Sequence, residues 1–409
     1  MTGKMSRRRL LAGTGLASAA VLAGSGSVLA GADTPPQDTG DGIIAFSGPH
    51  QAGITTPEQQ HMVFATYDVT AGSTAALAAL LNGWTTASGR MTAGQEVQGP
   101  DGPFAPPPDT GEAVGLPASQ LTLTFGFGPS LFDDRFGLAG RRPAALVDLP
   151  PFPNDALEPS LSGGDLCIQA CANDAQVAFH AVHDLTRLAL GSATIRYLQV
   201  GFGRTASPGA GQQTPRNLLG FHDGTANLDP ADHDAMRQYV WIDHGTDQPW
   251  MAGGTYMVVR RIRIHLEEWD RNTLDSQEQT IGRVKSSGAP LGSKNPADPV
   301  NLNALGAYGE LVIPNNAHIR VASPALNNGQ AILRRGYSFA DGVDLQSGEL
   351  DAGLFFICFQ KDPRQQFIPI QTRLAGNDAL AEYLLHTGSG VFACPPGASA
   401  DRPLGAALL

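Results

Sequence analysis

The sequence has little cysteine: four residues in 409, at Cys167, Cys171, Cys358 and Cys394. It contains no Cys-x-x-Cys pair, which excludes the common paired-thiolate zinc motifs. Cys167 and Cys171 lie in an apolar, strand-like run, where residues four apart share a face but are too distant for an easy disulfide. We therefore expect buried free thiols.

Basic residues are also scarce, with 27 Lys and Arg against 38 Asp and Glu, and the formal net charge is -11. This balance argues against nucleic acid as the main partner, because phosphate binding requires a basic face. Glycine (49) and proline (30) are abundant, so much of the chain should be loop. The length allows two ordinary domains or one large duplicated unit.

The N-terminus has the features of a targeting signal. Ser6-Arg-Arg-Arg-Leu-Leu11 is followed by a soft apolar run at 12–30, with small-residue cleavage sites ending at Ala30 or Ala32. The pattern resembles a bacterial twin-arginine signal, with an ordinary secretory signal as the alternative. We expect a signal peptide at 1–32, a linker at 33–42, and a periplasmic or extracellular protein that is exported already folded.

The remaining chain contains two series of predicted elements in the same order. The first has strands at 61–68, 121–127, 165–172 and 193–202, with helices at 74–86 and 175–190. The second has strands at 255–264, 351–360 and 390–394, with helices at 266–283, 364–374 and 377–385. Two such series, offset by nearly half the mature chain, indicate an internal duplication.

Strands that bracket helices and are joined by long loops favour an α+β fold over a doubly wound sheet. The Gly-, Pro- and Gln-rich segment 204–215 is the predicted boundary between the two series. We therefore expect an N-terminal half at 43–212 and a C-terminal half at 213–409. A ligand at the joint of two such halves would be an ordinary arrangement.

The stretch Gly220-Phe-His-Asp-Gly-Thr-Ala-Asn-Leu228 has neither helical nor strand periodicity. It places Asp223 beside Gly224, and glycine allows a sharp turn and close approach to a ligand. A carboxylate held in such a turn can accept and return a proton. Asp-Gly is also a strong signal for a surface hairpin turn, so the local sequence leaves both interpretations open.

Two further stretches carry candidates for chemistry. His318 lies in a predicted turn, and imidazole is a common ligand for iron, although an isolated histidine is more often structural. Arg334 and Arg335 directly follow apolar residues; if this is a strand, one of them points inward and requires an anionic or electron-rich partner. His318, Arg334 and Asp223 form a possible set of metal ligand, fixed positive charge and proton carrier.

These stretches together resemble the dye-decolourising peroxidases, in particular the exported deferrochelatase/peroxidase subgroup. The resemblance runs through 217–227, 257–263, 317–324, 333–338 and 350–360, and covers nearly the whole mature chain. It implies two ferredoxin-like halves with antiparallel sheets and one haem b per chain. The haem would lie between the halves, against the sheet and helices of the C-terminal half. The attachment would be noncovalent, and the sequence has no Cys-x-x-Cys-His motif.

The resemblance also implies roles for individual residues. His318 matches the proximal iron ligand, Asp223 the distal acid and Arg334 the distal arginine. Some relatives carry a distal asparagine two residues after this arginine, where the present chain has Gly336. Proton transfer would therefore depend more on Asp223 and water.

Other positions match the surroundings of the haem in the family. Those expected to bind or line it are Gly224, Thr225, Ala226, Ser323, Pro324 and Ala325. Arg261 and Phe356 are further candidate contacts. The proximal histidine should donate its second N–H to an acid, for which Glu310 and Asp351 are the candidates.

The activity implied is reduction of hydrogen peroxide through a ferryl haem, coupled to oxidation of dyes or other bulky reductants and fastest at acid pH. Bulky dyes cannot reach a buried haem, so electrons could pass through surface aromatic residues. The candidates for this relay are Tyr337, Trp241, Trp250 and Trp269.

Two other functions stay open from the sequence: release of iron from haem with the porphyrin ring intact, and a cofactor-free exported binding module. The expected partners are peroxide, a reducing substrate, an iron-uptake system and a second copy of the chain, with no role for nucleic acid.

Overall fold

The computed structural model describes residues 42–98, 102–203, 216–345, 347–399 and 401–409. The predicted signal peptide, the linker up to residue 41 and the predicted boundary at 204–215 lie outside these residues. All the described residues belong to one compact unit. Among the described helices, none combines the length and the hydrophobicity needed to cross a bilayer.

The first half of the described chain alternates strands and helices. Its elements are β1 (His61–Val69), α1 (Thr74–Thr92), β2 (Thr122–Phe127), β3 (Leu166–Ala172), α2 (Ala175–Leu188) and β4 (Ala193–Phe202). The strands form an antiparallel sheet in the order β2-β3-β1-β4, which is a ferredoxin-like topology. Ser73 caps α1 through a hydrogen bond from the Ala76 N–H, and Asp174 caps α2 in the same way.

The second half repeats this topology. Its elements are α3 (His233–Tyr239), β5 (Thr255–Ile264), α4 (Leu266–Trp269), α5 (Leu274–Ile281), α6 (His318–Val321), β6 (Leu333–Arg334), β7 (Tyr337–Val343), β8 (Leu350–Gln360), α7 (Phe367–Asn377) and β9 (Leu384–Cys394). The order β7-β8-β5-β9 corresponds strand for strand to β2-β3-β1-β4. The predicted α+β duplication with antiparallel sheets is confirmed.

Two predicted helices of the second half are wrong in detail. The helix expected at 266–283 is divided into α4 and α5, because the Thr273 side chain accepts the Ser276 N–H and starts a new helix. The helix expected at 377–385 is only the 3-10 turn Ala379–Tyr383, capped by Asp378. β9 begins directly after it, since residues from Leu384 onward pair with β5.

The two sheets join at both edges through single residue pairs, Phe127 with Ala393 and Phe202 with Ser338. Because β5 also pairs with β8, eight of the described strands form a closed ring, and β6 pairs with β8 alongside it. The ring encloses a hydrophobic core to which both halves contribute, including Phe64. All four cysteines are buried and free, as predicted.

Strand β8 determines where a ligand can be accommodated. Phe355, Ile357 and Phe359 point into the core of the ring. Leu354 and Phe356 alternate with them and are only partly buried, so they belong to the outer face of the C-terminal sheet. Helix α7 packs on this face, with the rings of Phe356 and Phe367 6.3 Å apart.

Candidate active site

Arg334, the last residue of strand β6, and the adjacent Arg335 point to opposite faces of the sheet. Arg334 pairs with Cys358 of β8, and its side chain is 32% exposed. Arg335 is buried and donates hydrogen bonds to the Thr56 carbonyl and the Gln59 amide oxygen of the first half. Alternation along the strand thus directs one arginine inward and leaves Arg334 available to a ligand on the outer face.

Asp223 faces Arg334 from a tight turn. Its Oδ1 accepts the Gly224 N–H at 2.7 Å and lies 3.6 Å from Arg334 Nη1. Gly224 has φ of +80°, and a Cβ there would meet no atom within 4 Å. The glycine is therefore needed for its backbone conformation. The preceding segment is anchored by Phe221, which is buried against Trp269.

Asn227 connects this turn to strand β6. Its Nδ2 donates to the Arg334 carbonyl at 2.7 Å, and its Oδ1 accepts the Arg334 N–H at 2.9 Å. One side chain therefore satisfies both backbone groups of the arginine that faces Asp223. This role was not predicted from the sequence, although an amide in a loop of otherwise small residues could have indicated it.

His318 opens the four-residue helix α6, and its imidazole is held by an acid distant in sequence. His318 Nδ1 lies 2.6 Å from Asp378 Oδ2, while Asp378 Oδ1 accepts the Leu380 N–H at 2.9 Å. A carboxylate at Nδ1 fixes the tautomer that carries hydrogen there and leaves the Nε2 lone pair available to a metal.

The predicted partners of this histidine, Glu310 and Asp351, are wrong. Glu310 accepts a hydrogen bond from the Tyr308 N–H. Asp351 pairs with Arg261 at 2.8 Å. Asp378 was missed because it lies 60 residues beyond His318, and only the packing of α6 against α7 brings the two together.

The pKa of His318 responds to the charges of its acidic partner and of the Asp223–Arg334 pair. Burial lowers the pKa of His318, but the Asp378 carboxylate outweighs this effect and the net pKa is raised. The charge of Arg334 lowers the same pKa and that of Asp223 raises it. The imidazole is thus within electrostatic reach of both side chains of the acid–guanidinium pair.

Glu58, from the loop before β1, is a further acid at this place. Burial raises its pKa, and the charge of Asp223 raises it further, while Arg335 and Arg334 lower it. The first half of the chain therefore contributes a titratable group to a site otherwise built by the second half. Glu58 was not predicted, because nothing in its local sequence relates it to Asp223.

Most of the other predicted haem contacts lie near Asp223 or His318, but one of them does not. Near Asp223 and His318 lie the exposed or half-buried residues Gly224, Thr225, Ala226, Ser323, Pro324 and Ala325, with Ser323 Oγ accepting the Ala325 N–H. Phe356 lies on the outer face of β8. Arg261 does not join the site, because its guanidinium is buried between Asp341 and Asp351, 4.1 Å from the Phe339 ring.

The aromatic residues expected at the surface are buried. Tyr337, Trp241, Trp250 and Trp269 are all less than a tenth exposed. Their large apolar rings pack into the cores instead. Tyr308, which the sequence analysis did not select, is 96% exposed.

The side chains present fit a haem. They provide an imidazole whose Nδ1 is held by a carboxylate, and an acid and a guanidinium that act on the same imidazole. Peroxidase chemistry needs this combination of a metal ligand, a proton carrier and a fixed positive charge. The duplicated fold and this set of side chains define a haem peroxidase.

Comparison with known proteins identifies the family. The profile of the Dyp-type peroxidase N-terminal domain matches residues 51–203, and that of the C-terminal domain matches residues 214–399. The chain belongs to the Dyp-type peroxidase family, which confirms the family and the haem cofactor expected from the sequence.

Three relatives show the extent of the similarity. A protein of Yersinia pseudotuberculosis named deferrochelatase is 39% identical over 416 residues, covering 99% of this chain and 95% of that protein. The DyP-type peroxidase of Streptomyces coelicolor is 40% identical, with a TM-score of 0.82 and coverage of 89% of this chain and 96% of that one. Ferric DtpA of Streptomyces lividans is 41% identical, with a TM-score of 0.82 and coverage of 90% and 97%.

Proposed function

We propose that this protein reduces hydrogen peroxide at a haem bound by His318 and oxidises a bulky reductant, with Asp223 and Arg334 as the catalytic residues. One observation carries the proposal: His318, held by Asp378 at 2.6 Å, is within electrostatic reach of both members of the Asp223–Arg334 pair. When bound, the haem supplies the redox-active iron that takes the oxidising equivalents of peroxide.

His318 would hold the cofactor by offering Nε2 to the iron. The Asp378 carboxylate accepts the Nδ1–H, which would make the imidazole a stronger electron donor. Gly224, Thr225 and Ala226 on one side and Ser323, Pro324 and Ala325 on another would line the porphyrin. The outer face of β8, with Leu354 and Phe356, supplies apolar surface for the ring.

Asp223 and Arg334 would act on the peroxide. The Asp223 carboxylate accepts a proton from one oxygen of peroxide and returns it to the other, which becomes water. Arg334 stabilises the negative charge that develops meanwhile, and Asn227 holds the arginine backbone in place.

The test is the rate of reaction with peroxide. In Asp223→Asn the rate measured by stopped-flow absorption should fall by about 10²–10⁴-fold, since an amide cannot carry the proton. The control Asp234→Asn, an exposed acid on α3, should react like the unaltered protein. His318→Ala should lose or strongly shift the Soret band. An unchanged peroxide rate in Asp223→Asn, or a native Soret band in His318→Ala, would refute these assignments.

A second candidate function is release of iron from haem with the porphyrin intact, supported by the similarity to proteins named deferrochelatase. Incubation with haem in the absence of peroxide distinguishes the two. Free protoporphyrin, detected by fluorescence, would favour iron release, whereas intact haem together with peroxide-dependent dye oxidation would favour the peroxidase.

The N-terminal sequence supports export by the twin-arginine route and a periplasmic or extracellular location. Replacement of Arg7, Arg8 and Arg9 by lysine should retain the protein in the cytoplasm, whereas export of the variant would contradict the proposal. A homodimer and an association with an iron-uptake system are further expectations, tested by sedimentation and by co-purification.

A further inference from the structure

A second cluster of metal-binding residue types lies in the first half, away from Asp223 and His318. His180 and Asp184 are four residues apart on α2, so both side chains lie on one face of that helix. Asp109 approaches them from the long loop between α1 and β2. The three side chains are 6%, 0% and 6% exposed, respectively.

The distances suit a shared ion better than direct hydrogen bonds. His180 Nε2 lies 3.4 Å from Asp184 Oδ2 and 3.7 Å from Asp109 Oδ2. All three potential ligand atoms lie within 4.8 Å of one another. Ligand atoms about 2.0–2.2 Å from one zinc ion are separated by similar distances. Asp184 Oδ2 is buried and has no hydrogen-bond partner.

The surrounding hydrogen bonds orient the three ligands. His180 Nδ1 lies 2.9 Å from Glu112 Oε2, so a hydrogen held at Nδ1 directs the Nε2 lone pair toward the two aspartates. Asp109 Oδ1 accepts the Gly111 N–H, and Asp184 Oδ1 accepts the Thr110 N–H. Asp184 Oδ2 is thereby left free to face the space between the ligands, whereas Asp109 Oδ2 also accepts the Val97 N–H at 2.8 Å and would share its second lone pair with the ion.

The charges of the described residues leave an excess that a cation would neutralise. Asp109, Asp184 and Glu112 carry three negative charges, and Arg187, 3.4 Å from Asp184 Oδ1, carries one positive charge. His183 also contacts Glu112 Oε1, at the exposed side of the cluster. With both imidazoles counted as neutral, the cluster has a net charge of about -2, which is costly in a buried place unless it is compensated. A divalent cation provides this compensation.

We propose that His180, Asp109 and Asp184 bind a divalent first-row transition metal, for which zinc is the probe. One imidazole and two carboxylates are suitable ligands for zinc, with a fourth position open to water. A cavity of about 340 Å³ borders the cluster and is lined by both Asp109 and His180. The ion fastens the loop between α1 and β2 to helix α2.

The experiment measures zinc in the haem-loaded protein. After treatment with a chelator and equilibrium dialysis against zinc, mass spectrometry of the metals should find about one zinc per chain at micromolar free zinc. His180→Gln and Asp184→Asn should each weaken binding by at least about 100-fold, while the control Asp148→Asn, which is 82% exposed, should bind normally. Peroxidase activity should persist in all three variants, because the haem site lies elsewhere.

A second measurement does not depend on the variants folding. Protease digestion should cut the described segment 102–117 at least about tenfold faster in the chelated protein than in the zinc-loaded protein. Absence of zinc from the unaltered protein, or equal binding by His180→Gln and Asp184→Asn, would overturn the proposal. So would a loop whose digestion rate is unaffected by chelation.

Discussion

At the scale of single residues, the bond between His318 and Asp378 does the most to define the site. The acid fixes the tautomer of the imidazole and increases its electron donation, and the same carboxylate caps the turn that leads into β9. The Asp378 side chain thus holds both the proposed iron ligand, His318, and the backbone N–H of Leu380.

Asp378→Asn tests this function. The amide still accepts the Leu380 N–H, but its NH₂ group would donate to Nδ1 and favour the tautomer with hydrogen on Nε2. We expect a rate with peroxide about 10–100-fold lower. Asp378→Glu, which retains the charge, should recover part of the loss. Equal Soret spectra and equal rates in all three proteins would show that the acid only supports the fold.

Another buried histidine makes stability depend on pH. Burial, with Arg260 nearby, lowers the pKa of His386 to about 3. His386 therefore becomes protonated near pH 6.5 in the unfolded chain but stays neutral in the folded chain. The unfolding free energy keeps its full value above about pH 6.5 and decreases as the pH falls toward 3.

From this shift, lowering the pH from 7 to 5 should cost the protein about 2 kcal/mol of unfolding free energy through His386. His386→Asn keeps an acceptor for the Arg260 Nε–H but does not titrate. Urea unfolding at both pH values should therefore show a smaller loss for the variant. Identical losses in the two proteins would exclude His386 as the titrating group.

At the scale of elements, Asn227 holds the turn at Asp223 and strand β6 together. This contact sets the distance between the acid and the guanidinium, since both backbone hydrogen bonds of Arg334 end on one amide. Neither element is long: β6 has only two residues. Their mutual position therefore depends on this side chain more than on regular secondary structure.

Asn227→Ala should reduce the peroxide rate by about tenfold or more and destabilise the fold by about 1–3 kcal/mol through two lost hydrogen bonds. Asn227→Asp retains the acceptor for the Arg334 N–H and should have an intermediate effect. Measurement of both rate and unfolding free energy separates the two contributions. A destabilised variant with an unchanged peroxide rate would mean that Arg334 needs no such positioning.

Most strands and the longer helices could be predicted from the sequence, because burial on one or both faces imposes a periodicity. The strand Tyr337–Val343 was not predicted, and Leu384–Cys394 begins six residues before its predicted bound of 390. Thr255–Ile264 and Ala193–Phe202 have the predicted bounds. Helix α1 continues to Thr92, beyond the predicted end. The start of α5 could not be located in this way. It depends on the cap residue Thr273, and a polar cap between two polar segments does not change the hydrophobic periodicity.

At the scale of the whole molecule, the closed ring of strands makes the halves interdependent. Each half has the predicted ferredoxin-like order, yet the core inside the ring belongs to both. Phe64 of the first half contacts the ring of Phe355 at 5.0 Å and that of Phe392 at 6.1 Å, both from the second half. We therefore expect the described residues to unfold as one cooperative unit.

Phe64→Ala should lower the unfolding free energy by about 3–5 kcal/mol. Tryptophan fluorescence and haem absorbance should still give coincident transitions. Phe104→Ala removes a fully exposed ring and should be neutral. Two separate transitions, with the haem signal unaffected by Phe64→Ala, would show that the halves fold independently.

The duplication itself was predictable because it repeats a local pattern. The contacts between residues distant in sequence were not. Arg335 contacts Thr56, and Glu58 lies within electrostatic reach of Asp223, across the two halves. Asp378 meets His318, 60 residues earlier, within the second half. The resemblance to a family supplied His318, Arg334 and Asp223, but only the folded chain shows which acid accompanies each of them.

The two corresponding strands β3 and β8 have diverged in one respect. Every residue of β3 is buried, whereas β8 has partly exposed Leu354 and Phe356 on its outer face. The first half therefore covers β3 on both faces, whereas the second half leaves the outer face of β8 partly open, where a ligand can pack. Substitutions should therefore be tolerated least along β3. Substitutions on the outer face of β8 should instead change which ligand the protein binds.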